Sequence, residues 1–105
     1  MITVDTSGAM SVRFYSVEEI LNIQGKAVHR PASKTLVIWG VNLSGSPGVQ
    51  DRCRLHLSEE EHARADRFGS AENRQRYIYA HGSLRVLLAR YLNVRPAAIV
   101  FQQGA

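Results

Sequence analysis

The chain has 105 residues, 45% of them hydrophobic, which is the size and composition of one small globular domain and argues against a disordered segment. Its formal net charge is +4, and between residues 64 and 95 seven arginines face only two acids, a local balance of +5. Such a surface suits a phosphate-bearing partner: a nucleotide, a nucleic acid or an anionic lipid. A solvated basic face is the simpler alternative.

Cysteine usage and hydropathy indicate a cytoplasmic protein. The one cysteine, Cys53, excludes an intrachain disulfide, a CxxC redox centre and a zinc site built on several thiols, and it fits a reducing compartment. No apolar run approaches the roughly 20 residues that span a bilayer. The first residues lack a basic start followed by an apolar block, so we expect no signal peptide and no membrane partner.

The N-terminal third is expected to be loose over residues 1–15, apart from a short strand near residues 2–4. Ser16 and Glu19 then form a capping-box pattern, in which each side chain bonds the other residue's backbone amide. The pattern predicts a short helix over residues 17–24, stopped by Gly25.

The strongest strand signal follows a polar connector at residues 26–34, which Pro31 interrupts. Residues 35–43 (TLVIWGVNL) are apolar and β-branched, with Trp39 at the centre. The nearly continuous apolar run predicts a strand buried on both faces. Residues 44–50 (SGSPGVQ) have the composition of a loop, and residues 51–56 are expected to form a short turn or part of a strand.

Two further helices are predicted downstream. Ser58 and Glu61 form the clearest capping box of the chain, and the three consecutive carboxylates there suit the helix dipole, so a helix is expected over residues 59–67. Gly69 ends it. Ser70 is expected to cap a long helix over residues 71–92.

The long helix has an apolar stripe at helical spacing, formed by Tyr77, Ala80, Leu84, Leu87, Leu88 and Tyr91. Gly82 costs about 1 kcal/mol within a helix, so we expect another element to approach the backbone there. Asn93 or the Arg95-Pro96 step ends the helix. Residues 98–103 (AIVFQQ) are predicted to form a second strand.

Neither a metal site nor a nucleophile emerges from the pattern. Glu59, Glu60 and Glu61 are consecutive on a helix and point in different directions, so capping accounts for them better than a shared cation. His62 and His81 have no histidine or cysteine partner at i+3 or i+4. Flanking arginines are expected to lower the pKa of Cys53, but no histidine is placed beside it, and a structural thiol is the favoured interpretation.

The arginines are the remaining candidates. Arg64 and Arg67 are three residues apart on the shorter helix. On the long helix Arg74, His81 and Arg85 follow one side, and Arg76 and Arg90 lie elsewhere around the axis. Guanidinium groups match phosphate oxygens in geometry. Pairing with neighbouring glutamates is the alternative for each of them.

The order of these elements resembles the N-terminal half of Sfp-type phosphopantetheinyl transferases, over residues 36–101. The matching pieces are LSxE at 57–60, AxRF at 65–68, RYI at 76–78, LRxLL at 84–88 and PAAI at 96–99. Each piece is weak alone, and their order and spacing are what make the resemblance specific. Residues 1–34 fall outside it, so the expected organisation is an N-terminal extension (1–34) followed by the transferase subdomain (35–105).

The resemblance implies an α/β (α+β) half-domain, a short sheet packed by one short and one long helix, as one half of a pseudo-dimer. Such enzymes move 4′-phosphopantetheine from coenzyme A to a serine of an acyl or peptidyl carrier protein, in fatty acid, polyketide or nonribosomal peptide biosynthesis. Coenzyme A and Mg²⁺ lie between the halves. Arg64, then Arg76 and Tyr77, are the implied coenzyme A-binding residues. Glu61 stands where some relatives have lysine, and Arg85 matches a recurrent arginine with a structural role.

The family's later motifs, including its Gly-x-Asp-x-Glu metal site, are absent from these 105 residues. We therefore expect no catalytic or metal-binding residue here and no activity from this chain alone. A homodimer or a separately encoded second half is a possible partner. The alternatives are a non-catalytic interaction or dimerisation module and, ranked lower, a basic nucleic-acid-binding domain, which no recognised motif supports.

Overall fold

The computed structural model describes residues 2–5, 10–23 and 36–101 and has a mixed α/β architecture. Its elements in chain order are β1 (Ile2–Asp5), β2 (Met10–Ser16), α1 (Val17–Asn22), β3 (Leu36–Asn42), α2 (Pro47–Arg54), α3 (Glu59–Asp66), α4 (Ala71–Leu92) and a 3₁₀ turn (Pro96–Ala98). Within these ranges, no helix has both the length and the apolar character required to cross a membrane.

The three strands form one sheet in the order β1-β2-β3. β1 and β2 are antiparallel, whereas β2 and β3 are parallel, with Arg13 opposite Trp39. The short strand near residues 2–4 is confirmed, but the expectation that residues 10–15 are loose is wrong. Pairing with β3, 26 residues along the chain at Leu36, stabilises β2, and a local pattern cannot report such a partner.

Helix α4 lies at the centre of the core, and α1, α2 and α3 all pack against it. The fully buried side chains include Val17 and Ile20 of α1 and Ile78, Tyr79 and Val86 of α4. Trp39 and Val41 of β3 pack on this cluster. At about 25 cal/mol per Å² of apolar area removed from water, these contacts are the main stabilising contribution to the fold.

Only one face of the sheet is covered by this helical layer. The side chains of Phe14 and Ile38, on β2 and β3, are 48% and 42% exposed. The prediction that residues 35–43 are buried on both faces is therefore wrong, although the strand itself is confirmed. A continuous apolar run is compatible with a strand covered on one face or on both faces. The number of helical layers packed on the sheet decides which of the two occurs.

The capping signals locate three helix starts correctly. Ser16 and Glu19 form the predicted capping box at α1, and Ser58 and Glu61 form the one at α3. Ser70 accepts a hydrogen bond from the amide of Asn73 at the start of α4. At its other end α4 stops at Asn93, which adopts the left-handed conformation with φ 54°.

The sequence pattern does not predict helix α2, because residues 44–50 have the composition of a loop and residues 51–56 indicate a turn or strand. Ser46 is its N-cap position and Pro47 its first residue, which is where proline is favoured in a helix. Val49 and Cys53, four residues apart, are buried against the core. This packing stabilises a short helix whose glycine, serine and proline content favours a loop.

The apolar stripe predicted on α4 is partly wrong, because the buried face is rotated from it. Leu87 is buried, but Leu84 is 42% exposed, and Ile78 and Tyr79 take the central positions instead. The prediction for Gly82 is confirmed: a Cβ atom placed there would lie 2.7 Å from the Cβ of Cys53. α2 therefore approaches the backbone of α4 at this glycine.

The described part of the chain after α4, which ends at residue 101, does not form the predicted second strand, and residues 102 and 103 of that prediction lie outside the described residues. Residues 96–98 form a 3₁₀ turn and residues 99–101 have no regular structure. The connector at residues 26–34, with Gly25, lies outside the described residues. The division of the chain at residues 34 and 35 stays a prediction, although β2 and α1 share one sheet and one core with the elements that follow.

Candidate functional site

The first turn of α3 places a buried carboxylate beside the middle of α4. Ser58 caps the helix, and the Glu61 side chain returns to accept a hydrogen bond from the Ser58 amide at 2.9 Å. This capping geometry points the Glu61 side chain, 10% exposed, towards α4. Glu59 and Glu60 remain exposed on the outer side of the turn.

Glu61 is the centre of a polar network between the two helices. Its Oε1 accepts from Nε of the buried Arg85, and its Oε2 lies 3.1 Å from Nδ1 of His81. Burial alone raises the pKa of Glu61, but the hydrogen bonds from Ser58, Arg85 and His81, with the charge of Arg85, outweigh it and lower the pKa. The carboxylate is therefore ionised at neutral pH and neutralised locally.

Arg85 extends this network to the segment that follows α4. Its Nη1 donates to the carbonyl oxygens of Pro96 and Ile99, at 2.9 and 2.8 Å. Its guanidinium carbon lies 5.1 Å from the centre of the Phe101 ring, a cation–π distance. The structural role expected for Arg85 is confirmed: its guanidinium joins α3, α4 and residues 96–101.

Tyr77 lies between two other rings beside the same network. Its ring centre is 4.0 Å from that of His81, in a stacked arrangement, and 5.3 Å from that of Phe68. Burial raises the pKa of Tyr77, the Glu61 carboxylate adds to the rise, and the charges of Arg64 and Arg85 oppose it. The positive charge of Arg64 is thus close enough to Tyr77 to influence its ionisation.

A cavity of about 580 Å³ opens between the start of α3, the middle of α4 and the segment after the 3₁₀ turn. Its polar and charged side chains come from the start of α3 and from α4, and its apolar side chains come from Leu84 and from the segment after α4. Its lining includes Glu59, Glu60, Glu61, Tyr77, His81, Leu84, Arg85, Ile99, Val100 and Phe101. This volume lies within the range of small-molecule sites.

Arg64 lies outside this cavity. It lines a separate depression of about 370 Å³ with Arg67 and Phe68, at the C-terminal end of α3. Neither guanidinium has a hydrogen-bond or ion-pair partner among the described residues. Two unpaired guanidinium groups beside one depression form a candidate phosphate-binding surface.

Arg76, the third implied binding residue, lines neither space. Its Nη2 donates to Glu72, one helical turn earlier, at 2.7 Å, and both side chains are mostly exposed. Pairing with a glutamate, the alternative weighed for the arginines, thus holds for Arg76 and for Arg85. An exposed i,i+4 pair contributes only about 0.3–0.5 kcal/mol, so a phosphate could displace Glu72 at little cost.

Cys53 is a structural thiol. It is fully buried against Gly82, and burial raises its pKa to about 11, outweighing the charge of Arg52. The flanking Arg52 does favour a lower pKa, as the sequence suggests, but burial outweighs it, and the structural interpretation of this thiol is confirmed. Sequence reasoning also overlooked the approach of His81 to Glu61, which are 20 residues apart and on different helices.

Fold and site together define a small α/β unit in which the acidic first turn of α3 and the arginine-rich α4 border a cavity. Over 77 residues, which is 69% of this chain, the sequence is 36% identical to the 4′-phosphopantetheinyl transferase HetI of Nostoc sp.. This similarity supports a relationship to phosphopantetheinyl transferases. The chain spans about a third of that relative, 32% of its length. No family model matches the chain, and no solved structure matches it.

The resemblance implies two bound groups, coenzyme A and Mg²⁺, and the side chains described above suit them to different degrees. The depression beside Arg64 and Arg67 offers two guanidinium groups with no partner among the described residues, and a phosphate group is chemically compatible with them. A magnesium ion does not fit the α3 carboxylates, because both oxygens of Glu61 are already bonded to Arg85 and His81. In the described ranges, no three histidine, cysteine or acidic side chains are grouped to hold a metal.

Proposed function

We propose that this chain is the N-terminal subdomain of an Sfp-type 4′-phosphopantetheinyl transferase. The complete enzyme would transfer phosphopantetheine from coenzyme A to a serine of an acyl or peptidyl carrier protein. The observation that carries the proposal is the 36% identity to the Nostoc transferase, in a chain whose family-like pieces stand in order from residue 57 to residue 99. The mixed α/β fold is compatible with it.

Arg64 is proposed to bind the 3′-phosphate of coenzyme A. Its guanidinium is exposed and unpaired among the described residues, and Arg67 lines the same depression. A phosphate dianion placed there would gain two charge-assisted contacts without breaking an ion pair between described residues. Arg76 would add a third contact by exchanging Glu72 for phosphate, and Tyr77 would form the wall between the phosphate and the larger cavity.

Calorimetric titration with coenzyme A and with dephospho-coenzyme A tests the role of Arg64. The two ligands differ only in the 3′-phosphate, so the expected result is tighter binding of coenzyme A by about tenfold, which one charge-assisted contact supplies. Arg64→Ala should reduce that preference, and the contact from Arg67 should account for what remains. Arg54→Ala, a matched change on α2, should leave it intact. Equal affinity of the unmodified chain for both ligands would refute the assignment of Arg64.

The 105-residue chain alone is expected to give no transfer. Phosphoryl-group chemistry on coenzyme A depends on charge neutralisation around the pyrophosphate, which Mg²⁺ bound by carboxylates would supply in the complete enzyme. An assay with apo carrier protein, coenzyme A and Mg²⁺ should show no modified carrier by mass spectrometry. Measurable product would contradict the assignment of this chain as a subdomain that requires a second half.

The second half is proposed to be supplied by a further stretch of protein or by another copy of this chain. Leu92 and Val94, at the end of α4, are 55% and 47% exposed, and apolar side chains of this kind favour association. Light scattering distinguishes a monomer from a homodimer directly. A monomer at all concentrations would exclude the homodimer and leave the separate second half.

A further inference from the structure

The two outer edges of the described sheet differ in how well they are protected against further pairing. β1 is only four residues long and ends with a charged residue, Asp5. β3, at the other edge, is seven residues long and contains neither a proline nor a charged residue. Its pairing with β2 runs without a bulge from Leu36 to Asn42. Natural sheets keep their edges unpaired by short strands, charges, prolines and bulges, and β3 has none of these features.

Part of the β3 backbone has no partner among the described residues. Successive residues of a strand point their N–H and C=O groups to opposite edges, so β2 can bond only alternate residues of β3. Within the described ranges, no backbone group outside β2 bonds to the backbone of residues 36–42. The remaining groups form a regular row about 23 Å long, at about 3.3 Å per residue. Such a row is a template for a further strand.

The charge distribution favours a second copy of this chain as the source of that strand. With a formal net charge of +4, two copies repel each other wherever their charged surfaces meet. β3 is uncharged, so pairing two β3 strands brings no charged side chains of these strands together. An antiparallel arrangement about a twofold axis is also self-complementary, since the same edge supplies both partners.

A twofold axis at Trp39 gives a register that pairs every residue of β3. It places Val37 opposite Val41 of the second copy and Ile38 opposite Gly40, with paired side chains on the same face of the sheet. Ile38 is 42% exposed in the single chain, and the pairing would cover part of its apolar surface. Backbone hydrogen bonds and apolar cross-strand contacts would therefore stabilise the same arrangement.

We propose that β3 pairs antiparallel with β3 of a second copy and joins the two sheets into one sheet of six strands. The contact is a strip about 23 Å by 10 Å, well below the roughly 800 Å² per partner of a standard interface, so the association is weak. We expect a dissociation constant of about 0.1 mM. The inference is independent of the proposed function, because the Arg64 depression takes no part in the contact.

Amide hydrogen exchange at two concentrations of the ¹⁵N-labelled chain tests the pairing. Between about 0.05 and 1 mM, mass action should slow exchange about threefold at alternate residues of β3, while the amides bonded to β2 stay unchanged. A chain that sediments as a monomer up to about 1 mM would overturn the proposal and leave a strand of another protein as the occupant of this edge. A dimer in which β3 exchange is independent of concentration would overturn it as well.

Ile38→Lys places a charge at the edge, close to its symmetry-related copy, and should weaken dimerisation at least about tenfold in sedimentation equilibrium. Leu55→Lys is the control, because it adds the same charge at a residue that is 79% exposed on the helical side; its effect should stay below about twofold. Phe14→Lys alters the exposed face of β2 and should have a smaller effect than Ile38→Lys. Equal losses for Phe14→Lys and Ile38→Lys would indicate stacked sheet faces and contradict edge pairing. Circular dichroism checks that each variant is folded.

Discussion

Gly82 shows how a single missing side chain determines a helix contact. The Cβ atom of an alanine there would lie 2.7 Å from Cys53 Cβ and 3.1 Å from both Cα and the carbonyl oxygen of Cys53. Two of these three atoms belong to the backbone of α2 and cannot move without displacing that helix. The glycine is therefore required by packing, although it costs about 1 kcal/mol in helix propensity.

Gly82→Ala is expected to destabilise the chain by about 1–3 kcal/mol, because overpacking exceeds the gain in propensity. Urea unfolding followed by circular dichroism measures this change. Gly69→Ala is the control, since a Cβ atom there meets nothing within 4 Å, and its effect should remain within about 0.5 kcal/mol. If Gly82→Ala were as stable as Gly69→Ala, the close approach of α2 would be incorrect.

Glu61 is the residue whose ionisation matters most for stability. Its pKa is lowered in the folded chain, so its contribution is fully present above the unfolded value of about 4.3 and is lost as pH falls through the folded value. The unfolding free energy should therefore decrease as pH falls below about 5.

Glu61→Gln leaves Arg85 as a buried charge without its counterion, and we expect a loss of about 3–5 kcal/mol at pH 7. Unfolding measured from pH 7 to pH 3 should also show a shallower decline for this variant than for the unmodified chain. Glu60→Gln, at an exposed neighbour, should change stability by less than about 0.5 kcal/mol. Identical pH profiles for the two variants would contradict the buried pair.

Among the elements, the helices with side-chain caps are those that local sequence predicts. Ser58 and Glu61 exchange two hydrogen bonds across three residues, so the start of α3 is encoded within one turn of chain. Ser46, at the start of α2, makes no side-chain cap hydrogen bond. Helix α2 depends instead on burying Val49 and Cys53, and for that reason a local pattern missed it.

This contrast predicts unequal effects of two serine substitutions. Ser58→Ala should cost about 1 kcal/mol, because it leaves the Glu61 amide without its acceptor. Ser46→Ala removes a hydroxyl that caps nothing and should be nearly neutral. Thermal unfolding of both variants provides the comparison, and a larger loss for Ser46→Ala would show that α2 has a side-chain cap.

The segment after α4 shows the opposite error, in which a β-like sequence does not form a strand. Residues 98–103 include Ile99, Val100 and Phe101, which favour strands. Arg85 donates hydrogen bonds to the carbonyl oxygens of Pro96 and Ile99, so a side chain rather than a neighbouring strand satisfies these two groups. Propensity scales cannot predict this outcome, because it depends on Arg85, which belongs to the preceding helix α4.

At the scale of the whole molecule, the N-terminal strands and α1 are part of the core. β2 pairs with β3 along seven residues, and Val17, Ile20 and Leu21 are buried beside α4. These contacts connect residues outside the family resemblance to residues inside it. The limits of a sequence resemblance and the limits of a folding unit are separate properties of the chain.

A chain beginning at residue 35 is therefore expected not to fold cooperatively. The truncation removes three buried aliphatic side chains, those of Val17, Ile20 and Leu21. Burying each of them contributes about 1.5–3 kcal/mol, and the total is comparable with the free energy of unfolding of a typical domain, about 5–15 kcal/mol. Amide hydrogen exchange of β3 and α4 should show protection in the full chain and little in the truncated one. Native-like protection in the truncated chain would establish residues 35–105 as an independent unit.

The sequence by itself determined the three capped helix starts, the strand around Trp39 and the close approach at Gly82 of α4. It also determined the basic character of residues 64–95. Each of these features depends on neighbouring residues or on composition. Only the tertiary structure decided that Glu61, His81 and Arg85 form one network, that Arg64 and Tyr77 line different spaces, and that β2 and α2 exist. These features join positions that are distant along the chain, and their stability comes from burial and from buried hydrogen bonds that no local pattern records.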